Sequence, residues 1–267
     1  MKVVLFCGGQ GMRLREYSDK IPKPMVPIGY RPILWYIMKY YAHYGHKDFI
    51  LCLGHQADEI KNYFINYSEY VSNDFVFTKG GAKLDLLNKD IDDWKITFAD
   101  TGVTANIGER LKAVEKYLEG EDVFLANYSD GLTDLPLPQM IERFKQLDKI
   151  GMLMSSKPSR TFHVASMDRD NNVQELCSLN KLFGVWINAG YFIFKKEIFD
   201  YIKPGEDLAE EPMQRLIAKK QLAAYPYSGS FFTMDTFKEK QMLDDMYARG
   251  DAPWEVWKSS SSQKRVA

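Results

Sequence analysis

Val3-Val4-Leu5-Phe6-Cys7-Gly8-Gly9 opens the chain with a short apolar run cut off by two glycines. A run of this length, rich in β-branched residues and stopped by glycine, reads as a buried parallel strand. Working outward, Pro32 to Tyr44 reads as a helix, with Ile33, Ile37, Tyr40, Tyr41 and Tyr44 near helical spacing. Phe49-Ile50-Leu51-Cys52-Leu53 is a second buried strand ending at Gly54, and Ala57 to Tyr67 a second helix. Strand, helix, strand, helix is the order of a doubly wound parallel sheet. Ile96 to Ala99 continues it as a strand, Arg110 to Leu118 as a helix, and Val123 to Tyr128 as a strand ending in Ser129-Asp130-Gly131. Residues 136–148 read as a helix with Pro136 and Pro138 near its start, where proline is tolerated. Met152 to Ser156 resumes the strands, and Ser155 to Asn180 alternates like an antiparallel hairpin layer. Trp186 to Phe194 is a strand pair or one long bent strand, and helices are expected over 207–220 and 236–249. The fold class predicted is α/β, a doubly wound, mostly parallel mixed sheet with a small antiparallel insertion layer. One domain over 1–258 is expected, with residues 259–267 a mobile low-complexity tail.

Composition narrows the function. The 267 residues are 45% hydrophobic and 27% charged, ordinary for a globular protein, and the formal net charge of -1 gives no footprint for nucleic acid or an anionic membrane. No run is long enough for a transmembrane helix and none has the layout of a signal peptide, so a cytoplasmic protein is expected. Cys7, Cys52 and Cys177 fit no metal spacing and read as free thiols, and the four histidines form no HxxxH or HExxH pattern. Any polyanionic substrate must therefore be met by locally concentrated charge.

That concentration lies at the N-terminus. Gly8-Gly9-Gln10-Gly11-Met12-Arg13-Leu14 follows the first strand directly. Glycines there let backbone N–H groups approach phosphate oxygens, although Gly-Gly-x-Gly alone equally describes a tight turn. It is neither a Walker loop nor a dinucleotide fingerprint, since Leu14 stands where a third glycine belongs. Arg13 inside the loop and Lys23, pinned in Pro22-Lys23-Pro24-Met25, turn the glycine loop into a triphosphate clamp. Asp130 ends a buried strand, where open α/β sheets bind ligands, or else caps a turn. Asp134 reads as a solvated loop residue.

These segments resemble the sugar-1-phosphate nucleotidyltransferases and, within them, the glucose-1-phosphate cytidylyltransferases. The resemblance rests on the N-terminal loop, on Lys23-Pro24-Met25-Val26-Pro27-Ile28-Gly29 and on Pro32-Ile33-Leu34-Trp35-Tyr36-Ile37-Met38-Lys39. Further along it is carried by Asp100-Thr101-Gly102, Gly108-Glu109-Arg110-Leu111, Trp186 to Phe192, Met234-Asp235-Thr236 and Ala252 to Trp257. It implies a Rossmann-like nucleotidyltransferase fold with a nucleotide half over about 1–135, an acceptor half over about 150–235 and a helical segment over 236–258. It also implies that CTP and a sugar 1-phosphate give a nucleotide-sugar and pyrophosphate by in-line attack, with Arg13 and Lys23 catalytic. Phe6, Gly8, Gly9, Gly11, Met12, Arg13, Lys23, Gly108 and Arg110 would bind the nucleotide, and Asp130 and Asp235 would hold Mg²⁺ between the phosphates. The base would be read by loops near Gly54, Gly80 and Gly108. Met12 replaces the family's usual threonine, which removes a hydroxyl and leaves the backbone cradle. A homo-oligomer working on small molecules is implied, with neither nucleic acid nor membrane as partner. Uridylyl, thymidylyl or guanylyl transfer is the neighbouring reading, and a non-catalytic nucleotide-binding regulatory paralogue the rival from another class.

The acceptor half departs from the resemblance. Ser178-Leu179-Asn180 stands where the family has Glu-Lys-Pro, and Phe162-His163 where it has an aromatic residue followed by glycine. Asn188 and Gly190, which match the sugar-contacting strand, are retained. His163 is therefore expected to face the acceptor, and Lys181 or Arg160 to bind its phosphate.

Overall fold

The computed structural model describes residues 1–9, 21–158, 163–178 and 184–258, with the backbone only at position 163. Strand β1 (Val3–Phe6) leads to the short pair β2 (Pro27–Ile28) and β3 (Arg31–Pro32), then helix α1 (Ile33–His43), β4 (Asp48–Leu53) and α2 (Ala57–Ile65). A hairpin of β5 (Phe75–Thr78) and β6 (Lys83–Leu86) precedes β7 (Lys95–Asp100), α3 (Ile107–Ala113) and β8 (Val123–Asn127). Next come β9 (Gly131–Thr133), α4 (Leu137–Leu147), β10 (Gly151–Ser156) and the hairpin β11 (His163–Met167) and β12 (Val173–Ser178). The chain ends through β13 (Ile187–Lys195), α5 (Glu211–Ala218), β14 (Leu222–Tyr227), β15 (Phe231–Thr233) and α6 (Phe237–Ala248).

Among the described residues a seven-stranded sheet runs in the order β14-β10-β13-β8-β1-β4-β7. Strand β13 alone runs against its neighbours β10 and β8, and the other adjacent strands are parallel. The expected mostly parallel mixed sheet is what forms, with the antiparallel hairpins set outside it. Central strands are apolar on both faces because helices cover both. Val3 and Leu5 pack into one core with α1 and Trp254, while Val4 and Phe6 pack into the other with Leu111, Phe192 and Met213. Each fully buried aliphatic or aromatic side chain contributes roughly 1.5–3 kcal/mol. Helix α1 buries nearly its whole circumference, with Trp257 packed against Trp35 and Tyr36.

The topology also fixes where a ligand can sit. From β1 the chain builds outward to β4 and β7, then crosses back through α3 to β8 on the other flank of β1. Connections leaving β1 and β8 therefore diverge, and the crevice beyond their C-terminal ends is the switch point at which such sheets bind ligands.

Several elements differ from expectation. The helix expected over Arg110–Leu118 starts earlier and splits into α3 and a 3-10 turn over Glu115–Leu118. The helix expected from 207 begins only at Glu211, because residues 203–210 form a turn that packs on the start of α3. The region 186–194 is one strand, bulged so that Leu153 pairs with Phe192 and Ser155 with Asn188. Gly190 sits in that bulge at φ 74. A Cβ there would lie 2.7 Å from the Tyr128 ring, so both backbone conformation and space demand glycine. Gly45 (φ 86) has nothing within 4 Å of such a Cβ. Gly45→Ala should then cost only the left-handed backbone term, about 1–2 kcal/mol, and Gly190→Ala roughly 2–5 kcal/mol once the clash is added. Denaturant unfolding of both variants measures this, and equal losses would contradict it.

Candidate active site

The glycine loop begins where β1 stops, and its first residue is held rather than free. Gly8 O accepts from His55 N at 3.2 Å and from Arg110 Nη2 at 2.9 Å. The Arg110 Nη1 group donates to Leu53 O (3.1 Å), Thr101 Oγ1 (2.8 Å) and Gly102 O (2.9 Å). One guanidinium, only 3% exposed, thereby ties together the ends of β1, β4 and β7. A Cβ on Gly8 would meet Arg110 Nη1 at 2.1 Å and one on Gly54 would meet it at 2.6 Å, so the glycines make room for this knot. Burial lowers the guanidinium's pKa while leaving it fully charged at neutral pH. Arg110 borders the cavity, but its hydrogen bonds run to the strand ends that frame it, to carbonyls of Leu53, Gly102 and Gly8 and to the Thr101 hydroxyl.

The carboxylates come together by a second device. Strands β9 and β15 pair antiparallel, Gly131 with Thr233, and Met234 N donates to Asp130 O at 3.1 Å. That ladder sets Asp130 beside Asp235. Asp235 is fixed from behind by the capping box of α6, in which Glu239 Oε2 accepts from Asp235 N (2.8 Å) and Thr236 N (2.9 Å). Lys23 projects from a 3-10 turn between two prolines and donates to Asp130 Oδ2 at 2.8 Å and Asp235 Oδ1 at 2.6 Å. Burial alone would lower the lysine pKa; the two facing carboxylates outweigh it and hold the ammonium above its usual range. Two carboxylate oxygens that converge on one cationic nitrogen, with side chains 32% and 17% exposed, suit a hard divalent cation completed by phosphate oxygens and water.

A cavity of about 540 Å³ opens over these groups. Phe6, Gly9, Lys23, Asp130 and Asp235 border it as the sequence suggests, together with Tyr128, Asn106 and Asp207, which sequence reading does not single out. Tyr128 continues β8, and nothing in its local pattern distinguishes it from a core residue. Ser129 beside it is fully buried at φ 64, a strained non-glycine position of the kind that marks functional turns. Gly108 is placed elsewhere: a Cβ on it would lie 2.2 Å from Glu206 O, so it admits the 203–208 turn and is not part of the cavity wall. Gly80 lies in the exposed β5–β6 hairpin, also outside that wall. Asn188 Nδ2 donates to Tyr128 Oη at 3.4 Å, and Gly190 supports the Tyr128 ring. Asp134 is not a solvated loop residue, for its Oδ1 accepts from Tyr227 Oη (2.6 Å) and Ser230 N (2.8 Å) and so braces β15. Gly11, Met12, Arg13, Arg160, Phe162, Leu179, Asn180 and Lys181, the side chain of His163 and the tail 259–267 lie outside the described residues.

The chemistry available is positioning and charge neutralisation. The Cys7 thiol is pushed up to about 12 by burial, and burial raises Cys52 as well, so neither supplies a thiolate. Burial also takes the Tyr128 phenol up to about 12. Among the described residues no histidine borders the cavity.

Comparison with known proteins places this arrangement. Residues 2–245 match the family model described as nucleotidyl transferase. The chain belongs to that family. It is 35% identical over 258 residues to the glucose-1-phosphate cytidylyltransferase of Salmonella typhimurium, covering 96% of this chain and 100% of that protein. To a probable glucose-1-phosphate cytidylyltransferase of Bacillus subtilis it is 33% identical over 259 residues, with the same coverage. The crystal structure of HddC from Yersinia pseudotuberculosis superposes with a TM-score of 0.65 at 22% identity, covering 92% of this chain and 99% of that one. That likeness shows the fold. As a nucleotidyl transferase the protein needs a phosphate-accommodating crevice, and the Arg110 knot is what holds its rim. Arg110→Lys should cost roughly 2–4 kcal/mol of stability, because one ammonium cannot satisfy carbonyls on three strand ends. Calorimetric melting alongside nucleotide titration checks this; weakened nucleotide binding with unchanged melting would instead make Arg110 a direct nucleotide ligand.

Proposed function

We propose that the protein transfers the cytidylyl group of CTP to a hexose 1-phosphate, releasing pyrophosphate and forming a nucleotide-sugar, with Mg²⁺ as cofactor. The observation that carries this reading is the meeting of Lys23, Asp130 and Asp235 at the switch-point crevice, in a chain alignable end to end with relatives named for cytidylyl transfer to glucose 1-phosphate. A cytoplasmic homo-oligomer belongs to the same proposal and rests on the family resemblance.

Each residue has a part. Gly9, with nothing within 4 Å of a Cβ, leaves backbone room for the triphosphate, Gly8 makes way for Arg110, and Arg13 and Lys23 neutralise charge on the triphosphate. Asp130 and Asp235 would hold the metal, which when bound supplies charge neutralisation at the reacting and leaving phosphates. Lys23 then exchanges its two carboxylate partners for phosphate oxygens, a short displacement for a four-carbon side chain. Among the described residues that border the cavity none is a histidine or an ionisable thiol, so the acceptor phosphate oxygen attacks the α-phosphorus directly, and the site's contribution is orientation and preorganised charge.

Turnover should be abolished in Asp130→Asn and in Asp235→Asn while both proteins melt normally, since each loses a charge at constant shape. Arg13→Ala and Lys23→Ala should each lose roughly 2–4 kcal/mol of transition-state stabilisation, visible in kcat at saturating CTP. Pyrophosphate release measures all four, and near-normal rates in the Asn variants would refute the metal assignment. Base preference is tested by the same assay. CTP should exceed UTP, dTTP, ATP and GTP by at least about tenfold, which needs only about 1.4 kcal/mol. A preference for another triphosphate would remove the cytidylyl label and leave the reaction class. On the acceptor side, Leu179 and His163 replace a lysine and a glycine of the resembling family. Glucose 1-phosphate should accordingly be a poor substrate beside another sugar phosphate, with His163 facing the acceptor and Lys181 or Arg160 gripping its phosphate. Efficient use of glucose 1-phosphate, unaltered by His163→Gly, Lys181→Ala and Arg160→Ala, would overturn that.

A further inference from the structure

Lys23 already fills the place between the two carboxylates that a metal ion would need. Its Nζ donates to Asp130 Oδ2 at 2.8 Å and to Asp235 Oδ1 at 2.6 Å. A divalent ion held by the same two oxygens has to compete with the ammonium for them, and like charges repel strongly at such range. The Lys23 side chain is only 14% exposed, so water and salt do little to screen the contact. The pair is neutralised in part by a charge that belongs to the chain itself.

The ammonium is held there on a tether. Lys23 lies in a 3-10 turn between Pro22 and Pro24, and Val26 N donates to Lys23 O at 3.1 Å, so its backbone is fixed. What can move is the four-carbon stem, and the cavity of about 540 Å³ that Lys23 itself borders is the space open to it. The carboxylates cannot follow. Met234 N donates to Asp130 O at 3.1 Å, and Glu239 Oε2 accepts from Asp235 N at 2.8 Å, so both backbone positions stay in place when the ammonium leaves.

Drawing the ammonium away takes an anion that outcompetes two carboxylates. A triphosphate does so, because it carries more charge than the pair and offers several acceptor oxygens at once. A small monovalent anion offers less charge than the two carboxylates together.

We propose that Lys23 is a tethered stand-in for the metal ion: it closes the Asp130–Asp235 pair to divalent cations in the free protein, and a triphosphate opens the pair by taking the ammonium onto its own oxygens. The inference rests on the reading of Asp130 and Asp235 as the metal pair and adds to it an order of binding. Metal and triphosphate are then coupled through one side chain, and the coupling acts equally in both directions.

Mn²⁺ alone is the probe, since it takes the same oxygen ligands and the free ion is counted by electron paramagnetic resonance. Without nucleotide, the wild type should bind Mn²⁺ weakly at this pair. Lys23→Met and Lys23→Gln, which remove the charge, should bind one Mn²⁺ ion about ten- to a hundredfold more tightly, the factor expected when a charge-assisted contact no longer has to be broken. Lys23→Arg keeps the charge and should stay close to the wild type. Both neutral variants should melt below the wild type without metal, because the carboxylates then face each other with no ammonium between them. Mn²⁺ should restore them by more than it raises the wild type. Adding Asp235→Asn to Lys23→Met should remove the gained site.

Equal Mn²⁺ affinity in the wild type and both neutral variants would overturn the proposal, as would a gain that survives Asp235→Asn. Tight nucleotide-free binding by the wild type that Asp235→Asn removes would overturn it too. The underlying reading fails in a different arm. If Mn²⁺ binding to the wild type in the presence of CTP is unchanged by Asp130→Asn and by Asp235→Asn, the pair is not the metal site.

Discussion

A single backbone hydrogen bond, Met234 N to Asp130 O, is what the functional arrangement hangs on. It extends the three-residue ladder of β9 and β15 to the point where two carboxylates from distant parts of the chain stand side by side. Neither carboxylate would be placed by its own segment, for Asp130 follows a buried strand and Asp235 precedes a helix. Crossing the strand ends and capping the helix with Thr236 and Glu239 gives both a fixed direction. Lys23, held between prolines, then closes the triangle from a third segment. The two carboxylates are thereby held in place before substrate binds, and only the Lys23 ammonium has to move when phosphate arrives.

The rest of the structure serves that triangle or frames it. Arg110 directs its donors to carbonyls of Leu53, Gly102 and Gly8, tying together the rim of the crevice over β1, β4 and β7. Gly190 lets Tyr128 close against the bulge of β13, and Ser129 accepts a left-handed backbone to turn Asp130 into the crevice. The thiols of Cys7 and Cys52, though near the loop, are too deeply buried to ionise at neutral pH. What remains, on the proposed reading, is a surface that orients two phosphorylated molecules, and among the described residues no cysteine or histidine is placed in it to form a covalent link.

Much of the fold could be read because its central strands are buried on both faces and therefore spell continuous apolar runs, as in Val3–Phe6 and Phe49–Leu53. What escaped has physical reasons. The β5–β6 hairpin is exposed over most of its length, so burial imposed no pattern on Phe75–Leu86. Strand β14 lies at the sheet edge, where Pro226 is tolerated and disguises it. Strands β9 and β15 are too short for any periodicity. The late start of α5 carried a usable sign, since Pro212 belongs to the first turn of a helix. In the site, Lys23, Asp130 and Asp235 were legible as chemistry-bearing residues in recognisable settings. Asp207 and Tyr128 were not, because one lies on an irregular turn and the other looks like the end of a core strand. Gly108 and Arg110 were legible as special positions, while the contacts that make them so join segments far apart in sequence.

In the proposed reaction, cytidylyl transfer proceeds by one in-line displacement on this charge triangle, without a protein-bound intermediate. Stereochemistry at phosphorus tests it most directly. With one diastereomer of CTPαS and the preferred sugar phosphate, ³¹P NMR of the nucleotide-sugar product should show inversion of configuration. Retention would require two displacements and a covalent protein intermediate, and would rule out a single in-line transfer.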